Sequence, residues 1–265
     1  MTLRRWAWVG VLLTGIALYL LVLVTMVTTQ NSNFVPSMIL IGSVTAPATF
    51  VTFAQGRSGR WQVPAGTIAA TAFFGGVVGV VAAGWLEYDA LRALGTLPKA
   101  GVGLIEEAAK LLAPAAVLLL TLRRRHEPSD GLVIGVASGM GFAALETMGY
   151  AFNALIASKG NIGAVEETLF VRGLTAPAAH LAWTGLTAGA LFAFAAAPTG
   201  RRMTALLLTF AGAVALHALW DSFDNMLVYA VLGAISLTWL MIQLRRYRTF
   251  EPHPHPPVAA QPTHR

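Results

Sequence analysis

Repeated stretches of about 20 apolar residues constrain this chain more than any other feature. An α-helix rises 1.5 Å per residue, so each stretch is long enough to cross the roughly 30 Å hydrocarbon core of a bilayer. They fall at about 6–28, 34–54, 64–86, 101–122, 131–152, 173–196, 203–224 and 226–244. Charged residues make up 11% of the chain and hydrophobic residues 56%, whereas soluble domains carry about 25% charged residues. The connections between stretches are short and leave no room for a soluble domain. The expected fold is therefore all-α: a polytopic transmembrane helical bundle of about eight spans, forming one integral-membrane domain over residues 1–248. The Pro-rich tail at 249–265, "FEPHPHPPVAAQPTHR" from Phe250, is expected to be disordered.

The formal charge of +6 is a matter of topology. With eight spans both termini lie on the same side as the second, fourth and sixth connections. Of the 18 Lys and Arg residues, Arg92, Lys99, Lys159 and Arg172 lie on the opposite side, Lys110 lies within a span, and the rest lie with the termini. By the positive-inside rule both termini and the tail are cytoplasmic. This distribution argues against nucleic acid as a partner and for the lipid bilayer. The first span follows "MTLRR", but its apolar core is too long for a signal peptide and "TMVTTQNSN" offers no A-x-A site, so it reads as a retained anchor. There are no cysteines, which excludes disulfides, cysteine nucleophiles and thiolate metal sites.

Ionisable residues inside spans are costly and mark function. Here they collect on four spans: Glu106, Glu107 and Lys110 on the fourth, Glu146 on the fifth, His180 on the sixth, His217 and Asp221 on the seventh. Counting from the outer end of each span, Glu106 lies roughly 8 Å deep, Glu146, His180 and His217 about 10 Å, and Lys110 about 13 Å. Four spans therefore present polar groups at nearly one level, in the outer half of the membrane. Glu106 and Glu107 are spaced i,i+4 and i,i+3 from Lys110, so either can meet the ammonium, and His217 and Asp221 share a face at i,i+4, which places Asp221 to orient the imidazole and fix its tautomer. Adjacent glutamates point about 100° apart, which gives Glu106 and Glu107 separate tasks.

Two carboxylates and two imidazoles without a serine or cysteine elbow suit a water nucleophile. In one route a glutamate takes the proton from water, with His217 and Asp221 steadying the oxyanion or protonating the leaving amine. In the other, Glu146, His180 and His217 hold a divalent metal such as zinc, with Glu106 or Glu107 as base. Pro114 and Pro177 lie close to this level and are placed to bend the fourth and sixth helices. "GVASG" at 135–139 and "GLTAG" at 185–189 provide small faces for close packing.

Four motifs carry a family resemblance: "EEAAK" at 106–110, "GFAALE" ending at Glu146, "RGLTAPAAHLAWTGLTAG" containing His180, and "HALWD" at 217–221. In this order, on separate spans over about residues 101–225, they resemble the PrsW family of bacterial intramembrane proteases. These are relatives of the CAAX prenyl endopeptidases and of the scaffold subunit of γ-secretase. The resemblance implies a multi-pass plasma-membrane endopeptidase that cuts membrane-anchored, single-span proteins, anti-sigma factors among them, near the outer face. It carries function onto Glu106, Glu107, Lys110, Glu146, His180, His217 and Asp221, and leaves metal and glutamate-activated water both open. Thr147 stands where the family pattern often has Asn, which points to altered specificity. Two rival expectations are a non-catalytic scaffold for a membrane partner and a proton-coupled transporter. The absence of an inverted internal repeat and the outer-half position of the polar set count against the transporter.

Overall fold

The computed structural model describes residues 2–57, 63–121 and 127–248. The expected tail at 249–265 and the basic residues Arg60, Arg123, Arg124 and Arg125 lie outside the described residues. Ten α-helices and no strand are found among the described residues: α1 (Thr2–Thr29), α2 (Val35–Arg57), α3 (Ala65–Leu94), α4 (Lys99–Lys110), α5 (Leu112–Leu120), α6 (Pro128–Ala157), α7 (Ile162–Thr175), α8 (His180–Ala196), α9 (Gly200–Ser222) and α10 (Met226–Arg248). By length and composition, seven continuous or nearly continuous helical segments among the described residues can cross a membrane. The expected polytopic bundle is observed. Large apolar side chains such as Leu21, Phe73, Leu120 and Leu208 face outward, while Glu107, Lys110 and His217 are buried.

The expected fourth span departs from a continuous helix. It breaks at Leu111 into α4 and α5, and Pro114 is the cause. Proline has no N–H to give the Lys110 carbonyl four residues earlier. The Ser138 hydroxyl of α6 donates to that carbonyl instead, at 2.7 Å. The expected sixth span breaks in the same way. Pro177 sits in a 3₁₀ turn, Ala176–Ala178, between α7 and α8, and Ala179 then turns the chain so that His180 opens α8. Lys110 closes one half-helix and His180 opens another. Non-helical backbone at such depth is tolerated where protein surrounds it: the first break lies against α6, and the turn Ala176–Ala178 against α2, α8 and α10.

The third helix is longer than its apolar stretch predicts. Its apolar run ends near Leu86, but "LEYDALRAL" continues the helix to Leu94, where Gly95 at φ 72° ends it and its N–H bonds the Leu91 carbonyl at 2.9 Å. Charge ended the hydropathy signal before it ended the helix.

The centre of the bundle is α6, which packs against α8, α3 and α2. Two glycines set these approaches. A Cβ on Gly139 would stand 2.6 Å from the His180 carbonyl, and one on Gly141 would collide with the Ala72 carbonyl of α3. The small face at 135–139 thus brings α8 close at the point where His180 begins, as its spacing predicted.

Candidate active site

The break after Lys110 points the last turn of α4 into the space between α6, α8 and α9. Lys110 is fully buried, and its ammonium has three partners: Glu107 Oε1 at 2.8 Å, Glu106 Oε2 at 3.0 Å and His180 Nδ1 at 2.7 Å. The Phe142 ring of α6 lies 4.4 Å from Nζ. A buried ammonium needs this many acceptors because each of its N–H groups has lost water.

The two glutamates divide as their angular separation predicts. Glu107 is 1% exposed, and its Oε1 also receives Nδ1–H of His217, 2.9 Å away. Glu106 is 12% exposed, and its Oε2 lies 3.6 Å from His217 Nε2. Asp221 Oδ2 is also 3.6 Å from Nε2, beyond a hydrogen bond. The sequence placed Asp221 as the group that orients His217; at hydrogen-bonding distance that group is Glu107, from another helix. His217 Nε2 therefore faces a space shared by Glu106 and Asp221. Trp183 of α8 packs beside it, with ring centroids 5.2 Å apart, and is itself held by an Nε1–H bond to Ser236 Oγ of 2.9 Å.

His180 joins this group to a second one. The ammonium donates to Nδ1, which leaves the proton on Nε2, and that N–H faces Glu146 Oε2 at 2.9 Å. The same carboxylate oxygen is 2.7 Å from Arg172 Nη2 of α7. Arg172 also donates from Nε to Thr147 Oγ1 at 3.0 Å and lies over the Tyr150 ring at 4.2 Å. Arg172, which the sequence put on the side opposite the termini, is paired with Glu146. Thr147 has a defined task as its acceptor. The structure thus brings all seven sequence-predicted residues into one connected set, with Asp221 at its more exposed edge.

A metal was expected on Glu146, His180 and His217. Among the described residues the group with converging ligand atoms is Glu106, His180 and His217, one atom from each lying within 4.8 Å of the others. Glu146 is turned to Arg172 instead. Two imidazoles and a carboxylate form a chemically sound zinc set, and the Glu107–His217 bond is the outer carboxylate such a histidine usually has. Glu106 Oε2, although beside the ammonium, makes no well-formed hydrogen bond. The residues fit a divalent metal, provided His180 gives up one of its two present partners.

Two contributors escaped the sequence: Ser138 and Trp183 carry no charge and look like ordinary packing.

A family model described as PrsW family intramembrane metalloprotease matches residues 63–244, from the start of α3 into α10. No curated protein and no solved structure gives a significant match. Over most of its length, then, this chain belongs to the PrsW family of intramembrane metalloproteases.

Proposed function

We propose that the chain hydrolyses peptide bonds of single-span membrane proteins, anti-sigma factors among the candidates, near the outer face of the bacterial plasma membrane. The helical core of 101–225 holds the reaction, and both termini lie in the cytoplasm, as the basic residues favour. The observation that carries the reading is the position of Glu106. It is the more exposed of the two glutamates that meet Lys110, with one oxygen between an ammonium and an imidazole nitrogen.

In this mechanism Glu106 takes a proton from water as the water oxygen bonds to the scissile carbonyl carbon. The proton passes through His217 Nε2 to the departing nitrogen as the C–N bond breaks, giving a carboxylic acid and an amine. Glu107 holds His217 by Nδ1 and Lys110 by Nζ, so it fixes both partners of Glu106 without touching substrate. Glu146 and Arg172 fix His180 from the other side. Positioned acid–base groups of this kind contribute about 10²- to 10⁴-fold. Glu106, His180 and His217 are the residues that would hold a divalent metal, zinc being the natural candidate, and a metal there supplies Lewis-acid polarisation of the carbonyl.

The test is cleavage of a panel of single-span membrane proteins by the purified protein in detergent, wild type against Glu106→Gln, Glu107→Gln and His180→Ala, with and without chelator. Loss of at least about a hundredfold in Glu106→Gln, with its melting temperature retained, supports the reading. A wild type that captures a membrane partner and cuts nothing replaces it with the scaffold.

A further inference from the structure

Every carboxylate of the site described above faces a cationic or imidazole partner. Glu106 and Glu107 have Lys110, Glu146 has Arg172 and His180, and Asp221 has His217. Glu87 is different. It lies on α3, whose inward stripe runs Gly75, Gly79 and Ala83 at four-residue steps; Glu87 is the next step. Ala83 packs with Ala109 of α4 and Phe142 of α6, so the stripe looks toward the site.

The hairpin register gives the height. Helices α3 and α4 are in contact and are joined by the short connection 95–98. Glu87 is seven residues before the end of α3 at Leu94, and Glu106 is seven residues after the start of α4 at Lys99. Each is about 10 Å from the turn, which puts them level across an antiparallel pair. Glu106, His217, Glu146 and Lys110 are accordingly the charges that Glu87 senses. Its Oε1 is buried and has no hydrogen-bond partner among the described residues.

A carboxylate oxygen removed from water with no donor is costly, and two neighbouring carboxylates add repulsion. A cation arriving with the substrate removes both penalties. We propose that Glu87 is a specificity-determining residue that receives an alkylammonium or guanidinium group of the substrate beside the scissile bond. The inference rests on the protease reading above. The cation has two sources, a Lys or Arg side chain of the substrate or the α-amino group formed at the cut.

The experiment compares single-span substrates that differ by one residue, Lys, Gln or Glu, scanned through the positions flanking the cut. Wild type, Glu87→Gln, Glu87→Asp, Glu87→Lys and Glu106→Gln are tested, with kcat and KM separated and melting temperature recorded. A charge-assisted hydrogen bond predicts that wild type favours the Lys substrate by about tenfold or more in kcat/KM at one position. In Glu87→Gln the Lys-to-Gln ratio falls to about one, in Glu87→Asp part of it survives, and in Glu87→Lys a Glu substrate is preferred. If the nascent amine is the source, no position shows a Lys preference; instead, inhibition by the amine-bearing product weakens in Glu87→Gln. A ratio and a product inhibition that are both the same in wild type and Glu87→Gln overturn the proposal and leave the protease intact. Wild type that cuts no substrate removes both readings together, while Glu106→Gln inactive beside an unselective Glu87 removes only this one.

Discussion

Lys110→Met tests the organising role of the buried ammonium. Methionine keeps an unbranched stem of similar length against Phe142 and deletes only the charge. The wild-type ammonium sits at 2.7, 2.8 and 3.0 Å from His180, Glu107 and Glu106 and is completely removed from solvent. Without it, Glu107, itself 1% exposed, keeps only His217. Removing one member of a buried ion pair costs about 3–5 kcal/mol, because the remaining charge stays buried and uncompensated. On the scale of about 2–4 °C per kcal/mol for a chain of this size, the melting temperature in detergent falls by about 6–20 °C. The double variant Lys110→Met with Glu107→Gln removes the stranded carboxylate as well. It should therefore be more stable than the sum of the single changes predicts, by about 0.5–3 kcal/mol. Thermal unfolding of the four proteins of this cycle in one detergent provides the measurement. A Lys110→Met protein that melts within about 2 °C of wild type, or a cycle with no coupling, refutes the view that this ammonium holds the acids in place.

Three further outcomes follow from the same contacts. Ser138→Ala strands the Lys110 carbonyl that Pro114 leaves without a donor, so stability drops by about 1–3 kcal/mol in the same melting assay. Gly139→Ala puts a Cβ 2.6 Å from the His180 carbonyl and forces α8 away from α6; cleavage should fall by tenfold or more (about 1.4 kcal/mol), and a variant as active as wild type contradicts the packing argument. Zinc added to metal-stripped protein should raise the melting temperature of wild type by ligand linkage and leave His217→Ala where it was, a readout that needs no substrate.

The spans, their order and the polar set were legible because each leaves a one-dimensional trace. Lipid requires long apolar runs, and a charge inside such a run stands out against them. The helix breaks were only half legible. Pro114 and Pro177 announced that helices four and six would bend, but the hydroxyl that makes the first break tolerable comes from Ser138, 28 residues away, and nothing local marks it. The partner of His217 was misread for a related reason. The i,i+4 rule nominated Asp221 on the same helix, yet the nearer acid is Glu107 on α4, and contacts between helices have no spacing to read.

Glu87 shows the same limit from the other side. Hydropathy closes a span at the first charges, so "LEYDALRAL" was read as a connection, whereas helix formation depends on backbone bonding and continued to Gly95. An acid beyond the apolar run therefore drew no notice, although the four-residue stripe from Gly75 through Ala83 continues to it. In a membrane enzyme that admits water the hydropathy boundary and the helix boundary separate at the site itself, since the wet region tolerates charge on a helix that continues through it. Side chains lying between the two boundaries, on the face that continues the buried stripe, are thus where further residues acting on the substrate are to be sought.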